Sequence, residues 1–279
     1  MKKVLVTGAN GQLGKSIQAI ANTLAGLSFL YKSSSELDIS KEEDVKEDFL
    51  KENYDWCINC AAYTSVDKAE IEKDKAYSVN VLGVKNIANS CKNYSVKLIH
   101  ISTDFVFDGE KQFPYLEVDT PNPKTVYGLT KLQGELEIKQ ILKEYFIIRT
   151  SWLYSEFGNN FMKTMLVLAE DRDEISVVSD QIGTPTHAID LSKLILKIIS
   201  DNNNKYGLYH FSNEGEASWA TFAEEIFKLK GIKCRVKPIL TKEYISLALR
   251  PKYSVFKKEK VKEAFDVIIP NWKYSLKKY

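Results

Sequence analysis

Lys2-Lys3-Val4-Leu5-Val6-Thr7 runs directly into Gly8-Ala9-Asn10-Gly11-Gln12-Leu13-Gly14. The first six residues are rich in β-formers, and behind the glycines Ile17, Ile20, Ala21 and Leu24 recur at helical spacing. The stretch reads as strand, glycine turn, helix. Gly8 permits the tight turn, Gly11 removes a Cβ that would keep a diphosphate off the backbone, and Gly14 lets the helix pack close to the strand. The helix start then offers free N–H groups and the positive end of a dipole, so dinucleotide binding is expected.

Outward from this turn the strand and helix signals alternate. Strands are expected at Leu27 to Tyr31, Trp56 to Ala62, Val96 to Ser102 and Tyr145 to Thr150. Helices are expected between them: Ser40 to Asn53 with Val45, Phe49 and Leu50 on one face; Asp74 to Tyr94 with Val79, Leu82, Ile87 and Cys91 inward; and Pro123 to Glu144. This order predicts an α/β fold, a Rossmann-type doubly wound parallel sheet with helices on both faces. After Thr150 the pattern loosens. Residues 1–150 are expected to form the dinucleotide-binding domain and 151–279 mainly a smaller C-terminal substrate-binding domain, with segments beyond 170 returning to the main sheet.

The chain has 279 residues, with Lys and Arg at 39 against Asp and Glu at 37, a formal charge of +2 with the two signs interspersed. No basic face for nucleic acid is indicated. An apolar fraction of 44% is ordinary for a globular protein, and no apolar run approaches the ~20 residues of a membrane span. The apolar run after Met1-Lys2-Lys3 is too short for a signal peptide, so a cytoplasmic protein is expected. Cys57, Cys60, Cys91 and Cys234 show no disulfide framework, and the Cys57/Cys60 pair sits in a strand whose residues three apart face opposite ways. No second Cys or His pair completes a metal site.

The second strand ends in Tyr31-Lys32-Ser33-Ser34, with no acid until Glu36. An acid there would bind the free ribose hydroxyls, whereas Lys32 and the serines suit a 2′-phosphate, so NADPH is expected, with NADH also accepted. Tyr127 and Lys131 are four apart at the start of a helical stretch and share a face. An ammonium beside a phenol favours phenolate, so Lys131 is expected to lower the pKa of Tyr127 toward useful acid strength. The fourth strand ends in Ser102-Thr103-Asp104, at the sheet edge where such folds hold ligands, and Thr103 can bond the carbonyl oxygen that Tyr127 protonates. His100, flanked by Leu98, Ile99 and Ile101, reads as a satisfied core residue, and His187 and His210 are not needed.

Taken together, Val6 to Gly14, Leu37-Asp38-Ile39, Asn59-Cys60-Ala61-Ala62-Tyr63-Thr64-Ser65-Val66-Asp67-Lys68-Ala69-Glu70, Ser102-Thr103-Asp104-Phe105-Val106-Phe107-Asp108-Gly109 and Tyr127-Gly128-Leu129-Thr130-Lys131 resemble the dTDP-4-dehydrorhamnose reductase family of extended short-chain dehydrogenase/reductases. The resemblance continues through Arg149 to Tyr154, Gly158 to Phe161, Asp180 to Thr186 and Arg250-Pro251. It implies reduction of the C4 ketone of dTDP-4-dehydro-L-rhamnose to dTDP-L-rhamnose. Tyr127 would be the proton donor, Lys131 would hold the nicotinamide ribose, and Thr103 would orient the substrate oxygen. Gly8, Asn10, Gly11, Gln12 and Leu13 match the diphosphate turn, Asp38 and Ile39 the adenine side, and Ala61, Ala62 and Tyr63 the cofactor-facing end of the third strand. Asn80 matches the helix asparagine behind the lysine. Val66, Asp104, Trp152 and Arg250 match positions lining the dTDP-sugar, where a bidentate arginine suits diphosphate.

The chain departs from the family pattern at Lys252-Tyr253-Ser254 and at Lys15-Ser16. Some members form a Mg²⁺-bridged dimer through an acid at the latter place, so no metal site is expected here, while a homodimer itself stays open. Two other functions share the pattern. A sugar-nucleotide epimerase or dehydratase would retain its cofactor tightly, and a non-catalytic regulatory subunit of a methionine adenosyltransferase would not need Thr103, Tyr127 and Lys131 together.

Overall fold

The computed structural model describes residues 1–21 and 24–278. Its first half alternates as expected: β1 (Lys2–Thr7), α1 (Gln12–Ala21), β2 (Leu27–Lys32), α2 (Glu42–Lys51), β3 (Trp56–Asn59), α3 (Val66–Ala69), α4 (Lys73–Tyr77), α5 (Val84–Asn93), β4 (Lys97–Thr103), α6 (Val126–Ile141) and β5 (Tyr145–Thr150). These five strands and a sixth, Gly207–His210, form one six-stranded sheet, parallel throughout, in the order 207–210, β5, β4, β3, β1, β2. The chain moves to one side of β1 for β2 and to the other for β3, so the strand order reverses at β1, where α/β sheets open a crevice.

Alternation along β1 sorts the core. Val4 and Val6 face α1 and the helix Ala188–Ser200, joining Ile17, Leu191 and Ile195, while Leu5 faces the opposite layer with Val45, Phe49, Ile87 and Ile138. Both faces are apolar because helices cover both. A third cluster, separate from the sheet, gathers Tyr154, Met165, Ile175, Phe222, Ile226 and Trp272. Among the described residues no helix is long and apolar enough to cross a membrane. All four cysteines are free thiols.

Three local expectations are corrected. Leu50 is exposed, because only Val45 and Phe49 of α2 point at the sheet. Leu82 is also exposed, and the expected continuous helix from Asp74 to Tyr94 is α4 and α5 joined by a π-helical turn, Ser78–Gly83. That wider turn rotates Asn80 away from the surface and into the protein, a use of π-turns common beside functional sites.

Candidate active site

A cleft of about 920 Å³ runs along the carboxyl edge of the sheet, from the turn after β1 to the segment after β5. Gly8, Asn10, Gly11, Gln12 and Leu13 line one end. Gly8 has φ +63°, and a Cβ there would lie 2.7 Å from the Ala61 nitrogen, so the turn is pressed against the end of β3 in a conformation that glycine adopts freely. The first turn of α1 has N–H groups without intrahelical partners, and Gln12, Leu13 and Gly14 bring it to the cleft wall. Gln12 also reaches across: its Nε2 donates to the Leu153 carbonyl at 3.1 Å, and the Ser155 hydroxyl donates to its Oε1 at 3.4 Å.

Asp38, Ile39, Ala61, Ala62 and Tyr63 line the next stretch. Asp38 is held by Ser40, whose N–H and hydroxyl donate to Oδ1 at 3.1 and 2.7 Å, and Asn86 donates to the Ile39 carbonyl at 2.9 Å. Lys32 is not among them. It ends β2 on the same face as Leu30, toward α2, and its Nζ pairs with Asp48 at 3.2 Å. Ser34 lines the cleft in its place. Asn80 does not reach the cleft either. It is fully buried, accepts from the Tyr63 N–H at 2.9 Å, and donates to the Tyr63 carbonyl and the Thr130 hydroxyl at 3.1 Å each. Its position clamps Tyr63 from behind, which the π-turn makes possible.

Thr103, Tyr127 and Lys131 meet at the middle of the cleft. Thr103 ends β4 and also caps the following 3₁₀ turn, accepting from the Phe105 N–H at 3.2 Å. Thr125 caps α6 by accepting from the Gly128 N–H at 3.0 Å. The two caps bring the segments into main-chain contact: a Cβ at Gly128 would lie 2.1 Å from the Phe105 carbonyl oxygen. Tyr127 sits one residue before that contact, its ring edge against Phe105 at 5.5 Å, while the Thr103 hydroxyl donates to Asp104 Oδ1 at 3.0 Å.

The expected lowering of Tyr127 by Lys131 is not found. Burial pushes the phenol up to about 12, outweighing the nearby Thr103 hydroxyl, which favours phenolate. Burial also lowers Lys131 to about 8, against the pull of the Glu135 carboxylate. The reason lies in where the amine points. Lys131 is 2% exposed, and its Nζ donates to the Ile101 carbonyl at 2.6 Å and touches His100 Nε2 at 3.2 Å. His100 is buried as expected, but the lysine contact is one that its apolar flanks gave no sign of.

Val66, Asp104 and Trp152 also line the cleft. Asp104 is 2% exposed, its Oδ2 has no hydrogen-bond partner among the described residues, and burial raises its pKa to about 6. Trp152 lies against Trp219, with φ +45°. Arg250 does not line the cleft. Its guanidinium forms an ion pair with Asp67, whose Oδ1 also accepts from the N–H groups of Leu247 and Ala248 at 3.1 Å each. Asp67 directly follows Val66 on α3, so the arginine stands beside the cleft wall rather than in it. Lys75, one turn before Val79, lines the cleft without having been singled out by any motif. Gly158 and Asn159 also line it, Gly158 packed near Gln12.

A family model described as RmlD substrate binding domain matches residues 1–279. A dTDP-4-dehydrorhamnose reductase of Aggregatibacter actinomycetemcomitans is 41% identical, covering 99% of this chain and 98% of its own. The spore coat polysaccharide biosynthesis protein SpsK of Bacillus subtilis is 40% identical, covering 100% of this chain and 97% of its own. Among solved structures, a dTDP-4-dehydrorhamnose reductase of Bacillus anthracis in complex with NADP is similar with a TM-score of 0.96 and 42% identity, over 100% of this chain and 99% of that one.

Proposed function

Since this chain belongs to the dTDP-4-dehydrorhamnose reductase family, we propose that it reduces the C4 ketone of dTDP-4-dehydro-L-rhamnose to dTDP-L-rhamnose with NADPH, NADH serving as well, and that Tyr127 supplies the proton. It is an NAD(P)-dependent oxidoreductase. The observation that carries the reading is convergence: Thr103, Tyr127 and Lys131 share one cleft with a glycine turn built for diphosphate.

The residues present fit a dinucleotide. The Gly8 turn leaves bare backbone at the start of α1, and Ala61, Ala62 and the clamped Tyr63 form an apolar wall beside it. Gly8, Asn10, Gly11, Gln12 and Leu13 would hold the diphosphate, Asp38 and Ile39 the adenine side, and Lys131 the ribose near the reacting centre. When bound, the nicotinamide supplies the hydride.

Tyr127 then gives its proton to the oxygen that becomes an alkoxide, and Thr103 donates to that same oxygen. Such preorganised donors in a site that excludes water supply much of the rate. A phenol kept well above neutral pH by burial arrives at the reaction fully protonated, as an acid must. Asp104 Oδ2, with no partner of its own, is the natural acceptor for a sugar hydroxyl, and Val66 and Trp152 close the apolar side of the hexose. Arg250, beside Asp67, would reach the substrate diphosphate only by leaving that pair.

The protein is proposed to act in the cytoplasm, a reducing compartment that suits four unpaired thiols, as a monomer or homodimer. The test is NADPH oxidation with dTDP-4-dehydro-L-rhamnose beside UDP- and GDP-linked keto-sugars, in wild type and Tyr127→Phe. The variant should keep cofactor affinity and lose about 10²–10⁴ in turnover. Equal turnover in the two proteins would remove Tyr127 from the role.

A further inference from the structure

Behind Lys131 a line of buried polar groups crosses β1, β3 and β4. The Thr7 hydroxyl donates to Asn59 Oδ1 at 2.7 Å, and the Ala61 backbone N–H donates to the same oxygen at 3.2 Å. The second bond settles the orientation, because a main-chain N–H can only donate, so the atom it meets is the amide oxygen. Asn59 Nδ2, with only protons to offer, then faces His100 Nδ1 at 3.2 Å. Nδ1 must accept, and the neutral ring carries its one proton on Nε2. That nitrogen lies 3.2 Å from Lys131 Nζ.

Two donors cannot share one hydrogen bond. An ammonium at Lys131 confronts the imidazole N–H, whereas a neutral amine offers it a lone pair. We propose that His100 is a positioning residue that stabilises the neutral amine of Lys131 and so makes the ammonium readier to give up a proton. The inference rests on the assignment of Tyr127 and Lys131 above. Once Tyr127 has protonated the substrate oxygen, its phenolate regains a proton that the Lys131 ammonium gives up through intervening solvent, since Nζ faces the Ile101 carbonyl and His100 rather than the phenol. One N–H bond of the ammonium breaks, its electron pair stays on Nζ, and that pair accepts from His100 Nε2. Solvent later returns the proton to the amine.

The other arrangements are closed. A proton on Nδ1 would oppose the Asn59 amide, and a doubly protonated ring would do the same in a site with no exposure, where burial holds the His100 pKa well below the usual value. The remaining groups around Lys131 do not supply the missing acceptor or donor. Glu135, one turn along α6, favours the ammonium, but its oxygens are taken by Arg149 at 2.8 and 2.7 Å and by Ser102 at 2.6 Å. Cys60, after β3, stays a thiol because burial raises it. Ile101 of β4 accepts from Nζ, and Tyr127 and Asp104 stand on the cleft side. Among the described residues in contact with Nζ, His100 alone presents an N–H.

Nitrogen-15 NMR of the imidazole in the cofactor-free protein tests the geometry without turnover. His100 should be neutral and protonated on Nε2 across neutral pH; a proton on Nδ1 or a charged ring would overturn the proposal. The pH profile of kcat tests the consequence. Turnover should fall on the alkaline side as Lys131 loses its charge, and in His100→Leu that limb should move up by about one unit, with His100→Gln restoring part of it. An unmoved limb would overturn the role of His100. Where His100→Leu fails to fold, Asn59→Asp serves instead: a carboxylate facing Nδ1 draws the proton there, turns Nε2 into an acceptor and should move the limb the same way. Lys131→Met separates the two assignments. Full turnover in that variant would sink the reading of the site, while an inactive Lys131→Met beside an unmoved limb would sink only the part given to His100.

Discussion

Trp152 lies flat on Trp219, ring centroids 3.5 Å apart and planes within 8°. Trp152 holds this pose at φ +45°, a conformation costly for a bulky residue and kept only where its surroundings enforce it. Trp219 is anchored in turn, its indole N–H donating to Gln181 Oε1 at 3.1 Å at the start of the helix Trp219–Lys230.

The stack therefore fixes the Trp152 ring in the cleft wall, where the proposed function puts it against the sugar. Losing an aromatic partner costs about 0.5–1.5 kcal/mol beyond area, so Trp219→Ala should raise the KM for the sugar nucleotide by up to about tenfold. Cofactor affinity should not change. Steady-state kinetics with a separate NADPH titration check this, and an unchanged sugar KM would show that Trp152 is held by something else.

Asp104 is a carboxyl stored at a cost. Its pKa is raised from 3.8 to about 6, so between those values the folded protein binds the proton more tightly than the unfolded chain. Stability falls as pH rises through that window, and the whole penalty is present above it. Asp104→Asn should be more stable at pH 7 by about 1–3 kcal/mol, with the gain gone below pH ~4. Its sugar KM should rise. Urea denaturation at the two pH values and substrate kinetics give the two halves of the trade.

Lys32 is tethered rather than absent. Partly exposed ion pairs are worth about 0–1 kcal/mol, so the Asp48 contact at 3.2 Å is a weak competitor for a 2′-phosphate. Asp48→Asn should tighten NADPH about two- to fivefold and leave NADH where it was. Fluorescence titration of both cofactors decides it; equal changes for the two would place Lys32 away from the phosphate.

Lys131 carries a penalty of opposite sign. Its folded pKa, about 8, lies below the 10.5 of a free lysine, so between those values the unfolded chain holds the extra proton and stability rises with pH. Below pH 8 the folded state bears the full cost of a buried ammonium. Lys131→Met should therefore gain about 1–3 kcal/mol at pH 7, a gain that shrinks toward pH 10. A destabilised Lys131→Met, measured by urea denaturation, would contradict this.

The strand, glycine turn and helix could be read from Lys2 to Ala21 because the signals there are local: β-formers, a turn only glycine tolerates, and a helical period. The common place of Thr103, Tyr127 and Lys131 in one cleft was legible too, from the end of β4 and from the one-turn spacing on α6. Lys32, Asn80 and Arg250 were not legible in this way. Each is decided by a partner distant in sequence or set by backbone geometry: Asp48 on α2, the Tyr63 main chain seen from a π-turn, and Asp67 across 183 positions. Helical period marked Leu50 and Leu82 as inward, but the sheet covers only part of each helix surface. The expected effect of Lys131 on Tyr127 failed for a related reason. Adjacent spacing says that two groups are near, while the Ile101 carbonyl and His100 say which way the amine faces.

The contact between Gly128 and the Phe105 carbonyl has a consequence for substitution. The spacing of phenol and threonine is set by main chain against main chain, so exchange of side chains around the cleft leaves it intact. Substitutions among the side chains lining the cleft can therefore change what it holds while the spacing of Thr103 and Tyr127 stays as it is.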